Sequence, residues 1–62
     1  MNSTVTTTQT ADDLRDAIGR VNYYRTVFST AKSSTAKIEA GEALDFWIGK
    51  RAMLELRLEQ GR

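Results

Sequence analysis

The apolar positions of this chain fall into two long helical patterns separated by a hydroxyl-rich break. In the first, Leu14, Ala17, Val21, Tyr24, Phe28 and Ala31 recur at alternating spacings of three and four. That rhythm predicts a helix with one continuous apolar seam. Ile18 and Val27 widen the seam on its two edges. Thr10, with Asp13 three residues later, forms a capping-box-like start. Asp12, Asp13 and Asp16 then crowd the first turns, where the helix dipole favours negative charge, and Lys32 lies in the last turn, where it favours a cation. The predicted helix runs from about residue 11 to 32.

The break is "SSTA", residues 33–36, whose hydroxyl side chains are good N-caps. A turn here, at about 33–35, is preferred to one around Gly41. The residues from Ala36 to Ala43 are mostly good helix formers, and a helical glycine costs only about 1 kcal/mol. The second pattern runs from about 36 to 60, with Gly61 as a C-cap. Its "LELRL" alternates at period two, but its residues favour helix and no β-branched residue follows Ile48. The expected fold is all-α, an antiparallel two-helix hairpin over residues 10–62.

At 100° per residue the second helix carries too much apolar surface for one partner. Ala40, Ala43, Leu44, Trp47, Ile48, Leu54 and Leu58 form a main arc, interrupted by Arg51. Ile38, Phe46, Ala52, Met53 and Leu56 spread over the opposite side. A helix apolar nearly all round is expected to be buried, and one neighbour cannot cover both sides. The expected outcome is assembly of hairpins into a four-helix bundle or a larger helical oligomer. Trp47 is expected to be an anchor whose truncation costs about 3–5 kcal/mol if buried.

Length and composition sharpen this picture. Sixty-two residues make at most one domain, and a chain so short is marginal alone. Small scaffolds add disulfides, metals or oligomerisation. With no Cys and no His, self-association is the remaining route. Residues 1–9, "MNSTVTTTQ", hold four Thr and one Ser and read as a flexible polar arm. Nothing in the sequence reads as a secretory signal or membrane span, so a cytoplasmic protein without membrane contact is expected. Nine basic and eight acidic residues give a net charge of +1. Nucleic-acid binding through Lys50, Arg51 and Arg57 is therefore disfavoured, because these are interleaved with acids.

Candidate chemistry is sparse. The chain has no His or Cys and no nucleophile or phosphate-loop motif, so no enzyme activity and no cofactor are expected. Glu39 and Glu42, three apart, lack further metal ligands. Tyr23, Phe46, Trp47, Met53 and Leu56 are the candidate interface residues, since aromatics anchor interfaces. Arg25 is expected to pair with Asp45, either between the helices or between subunits, and Arg51 to find an acid or stack on Trp47 one turn earlier. Arg25 and Arg51 with Ser33 and Ser34 form a candidate anion site. The expected function is that of a small accessory protein acting through protein–protein interaction, as adaptor, inhibitor or assembly factor. Its partners are further copies of itself or a larger host protein. The competing expectation is an oligomer that holds a small anion, such as a nucleotide, at a subunit interface.

Overall fold

The computed structural model describes residues 3–60, with side-chain environments from Thr8 to Gln60. Two helices, α1 (Ser3–Thr30) and α2 (Ser34–Gln60), make up the fold, and no strand occurs among the described residues. The expected α-helical hairpin is the fold. Phe28 lies beside Gly41 and Arg20 beside Trp47, so the helices run antiparallel. The molecule is a rod of 50 × 13 × 12 Å, with a radius of gyration of 14.3 Å. A compact chain of this length would measure about 10–11 Å. Most side chains therefore stay near solvent.

The break falls at residues 31–33, slightly earlier than expected, and uses the hydroxyl chemistry of the "SSTA" segment. Ser33 is the N-cap of α2: its Oγ accepts a hydrogen bond from the Ala36 amide at 3.1 Å. Its carbonyl accepts the first helical bond, from the Lys37 amide at 3.0 Å. At the end of α1, Thr26, Ser29 and Thr30 each donate a hydroxyl hydrogen bond to the carbonyl four residues earlier. These local bonds satisfy the hydroxyls within the helix but do not strengthen it, since such back-bonding slightly destabilises helices. Lys32 lies past the last turn of α1, not within it. The expected Gly61 cap lies outside the described residues.

α1 begins well before the expected start. Residues 3–9 of the proposed arm continue the helix, and Thr10 lies inside it, 6 % exposed, rather than at its cap. Residues 1 and 2 lie outside the described residues. Once tertiary contacts have nucleated a helix, each further residue adds a hydrogen bond at small cost, so propagation overrides a weak local cap. Asp12, Asp13 and Asp16 consequently sit well inside the helix and not in its first turn. Asp12 pairs with Arg15 at 3.8 Å and Asp16 with Arg20 at 3.7 Å.

The buried apolar core is thin: Ala17, Val21, Ala40 and Leu54. Three of the four are small, which lets the helix axes approach closely. Gly41 is helical, and Phe28 packs over it: a Cβ there would meet the Phe28 ring at 3.5 Å. No buried side-chain polar atom among the described residues lacks a partner. Leu44, Trp47 and Leu58 face α1 but are only half-buried, and Ile48, expected in the main arc, is 45 % exposed. Ile48 lies at the flank of that arc, where it edges the groove between the helices and is only partly covered by α1.

Truncating the one large buried aliphatic, Leu54→Ala, should cost about 2–5 kcal/mol and collapse far-UV dichroism in a thermal melt. Ser33→Ala, which removes only the cap, should cost about 1 kcal/mol and lower the midpoint without abolishing the cooperative transition.

Candidate interaction surface

The outward faces of the two helices differ in chemistry. Along α1 the outward positions Arg15, Gly19, Asn22 and Thr26 are exposed and carry no apolar side chain, and Tyr23 beside them is 61 % exposed. Along α2 they are Ile38, Phe46, Met53 and Leu56, which are 61 %, 61 %, 57 % and 54 % exposed. Phe46, Gly49, Met53 and Leu56 follow each other at spacings of three, four and three. That is the spacing of a coiled-coil seam, and here it has nothing packed on it. No atom comes within 4 Å of a Cβ built on Gly49.

Of the expected interface residues, Phe46, Met53 and Leu56 come together on this face. Trp47 does not. One residue further along the helix is a turn of 100°, which swings Trp47 toward α1. Its ring meets Phe46 edge-on at 5.2 Å, and the Arg20 guanidinium of α1 lies 5.3 Å over it. Trp47 thus joins the interhelical contact and leaves the outer face. Tyr23 lies on α1, 61 % exposed, edge-on to Tyr24 at 5.0 Å. It shares an open trough with Arg15, Gly19 and Arg20, built from α1 alone and away from the apolar stripe of α2. The pattern of the sequence placed Ile38 on the second apolar side, but nothing distinguished it or Gly49 as part of a site. The three-four-three spacing through Gly49 was the available signal.

The charged residues are also redistributed. Arg51 does not stack on Trp47; its Nε lies 3.4 Å from Glu55 Oε2, one turn onward. Arg20 takes the place over the indole because α1 brings it there from across the hairpin. Lys37 similarly lies 5.4 Å over the Phe28 ring. Arg25 and Asp45 do not pair within the hairpin: Arg25 lines a groove between the helices, whereas Asp45 is exposed on the outer side of α2.

That groove, of about 280 Å³, is lined by Val21, Arg25, Ile48, Arg51, Ala52 and Glu55. It brings together two of the four expected anion-binding residues. Ser33 and Ser34 sit at the hairpin turn, roughly 26 Å from Arg51 at the helical rise, and the Ser33 hydroxyl is committed to capping. The expected basic strip is divided as well, since Arg51 turns into the groove while Lys50 and Arg57 remain on the outer edge. Among the described residues no three acidic side chains gather as metal ligands, and no helix is long and apolar enough to cross a membrane.

The place of Arg20 over Trp47 is directly measurable. Arg20→Gln should shift Trp47 fluorescence to longer wavelength by opening the indole to water, with a stability loss near 1 kcal/mol or less. Arg51→Gln should leave the emission where it is.

Comparison of the chain with protein-family models, with curated proteins and with solved structures gives no match.

Proposed function

We propose that this hairpin is a protein-interaction module that self-associates through the outer face of α2 and acts as an adaptor, inhibitor or assembly factor. The observation that carries the reading is the stripe of Phe46, Met53 and Leu56, each more than half exposed. Contiguous exposed apolar surface marks interaction sites in soluble proteins. The contrast with α1 strengthens it, because on that helix Arg15, Gly19, Asn22 and Thr26 leave Tyr23 as an isolated aromatic of the outward face and not part of a stripe. A two-helix unit with a core as thin as Ala17, Val21, Ala40 and Leu54 also gains from added burial. Nothing in the arrangement favours an enzyme, and no cofactor enters the reading.

The second reading, capture of a small anion, is favoured by one observation: Arg25 and Arg51 line the same groove. Two features weigh against it within a single hairpin. Glu55 already neutralises Arg51, and the groove falls just under the roughly 300–1,000 Å³ typical of ligand pockets. A polynucleotide is supported less, since Arg15 and Arg20 in the trough of α1 are paired with Asp12 and Asp16.

Leu56→Glu places a charge at the C-terminal end of the proposed contact without touching the side facing α1. It should convert the assembly to a monomer in sedimentation velocity at micromolar concentration, with helical dichroism retained. Tyr23→Ala, on the outer side of α1, should leave the assembly intact. An assembly unaffected by Leu56→Glu would remove this face from the interface.

A further inference from the structure

The outer face of α2 carries an orientation signal in addition to its apolar stripe. If Phe46, Gly49, Met53 and Leu56 form a seam, the helix has two edges beside it. Asp45, Ala52 and Glu59 lie along one edge at seven-residue spacing, and Lys50 and Arg57 lie along the other. All five are exposed, and neither Asp45 nor Lys50 makes an ion pair among the described residues. One edge is therefore acidic and the other basic. In paired helices, the charges flanking the seam set partner and orientation.

We infer that the occupant of this face is a second copy of the chain, with the two α2 helices side by side and parallel. This deepens the interaction reading above and rests on it. In a parallel pair related by a two-fold axis along the seam, the acidic edge of each helix meets the basic edge of the other. Asp45 then faces Lys50 of the second copy, five residues onward, and the contact occurs twice. In an antiparallel pair like edges meet: Asp45 approaches Glu59, and Lys50 approaches Lys50, of the second copy. Like charges held opposite each other disfavour that arrangement.

The seam's composition fits the parallel form. Gly49 meets Gly49 at its centre, where the absence of a side chain allows the backbones to approach and Phe46 and Met53 to close over the gap. The glycine has no such role inside the hairpin, where nothing comes near it. The seam also has a defined start. Glu42, the next position toward the N-terminus, would face its own copy, so the helices part there and the contact begins at Phe46. α1 lies on the opposite side of α2 and does not obstruct the approach.

The absence of cysteine makes the test clean. Gly49→Cys should form a disulfide-linked dimer rapidly under mild oxidation, whereas Gly19→Cys, exposed on α1, should not. Asp45→Lys should weaken dimerisation about tenfold, from the loss of two ion pairs and the gain of two repulsions. The double exchange Asp45→Lys with Lys50→Asp should restore it. A wild-type chain that sediments as a folded monomer at micromolar concentration overturns the interaction reading and this inference together. A wild-type dimer in which Asp45→Lys tightens association, or in which Gly49→Cys cross-links no faster than Gly19→Cys, overturns the parallel arrangement alone. Because the charge exchange leaves Gly49 untouched, a packing defect caused by the cysteine cannot mimic its result.

Discussion

One helix can cover only one side of another, and the rest of this structure follows from that constraint. The single contact between α1 and α2 buries Ala17, Val21, Ala40 and Leu54 completely or nearly so. Small residues at the contact bring the axes together but supply little apolar area, and apolar area is the main favourable term in folding. Everything beyond this line is a flank. Leu44, Trp47 and Leu58 are therefore half-buried, and Ile48 is open to solvent on one side.

The chain treats its flanks and its outer faces differently. At the flanks, long cationic side chains lie over aromatic rings, Arg20 over Trp47 and Lys37 over Phe28. Such side chains cover apolar surface with their stems and keep the charge in water. On the outside of α1 most positions are polar, with Tyr23 exposed among them, and Asp12 pairs with Arg15 and Asp16 with Arg20 along the helix. On the outside of α2 no cation among the described residues lies over Phe46, whose ring meets Trp47 edge-on. Met53 and Leu56 stand exposed beside it. A hairpin that covers its flanks and leaves one face bare has a direction, and that direction is the basis for the function proposed.

Some of this was legible in the pattern of residues and some was not. The separation of Phe46, Met53 and Leu56 from the side facing α1 follows from 100° per residue and held in the structure. So did the hydroxyl break, where Ser33 caps α2. The start of α1 did not follow, because Thr10 and Asp13 resemble a cap while the helix continues through them to Ser3. Cap preferences are worth about 1 kcal/mol, too little to stop a helix already supported by packing. Trp47 lies on the main arc, whose periodicity turns it toward α1, and its place among the candidate interface residues rests on residue type alone, which carries no direction.

The sequence by itself determined the number of helices, the side of each that is apolar, and the existence of a surplus apolar face on α2. All three depend on helical periodicity, which is a local property of the chain. Only the tertiary structure decided how much of the main arc is covered, which arginine reaches Trp47, and that Arg25 and Arg51 line one groove while Asp45 stays outside. These depend on the distance between the axes and on the register of one helix against the other. Both are set by how Ala17, Val21, Ala40 and Leu54 pack together, and neither is written in the spacing along either helix.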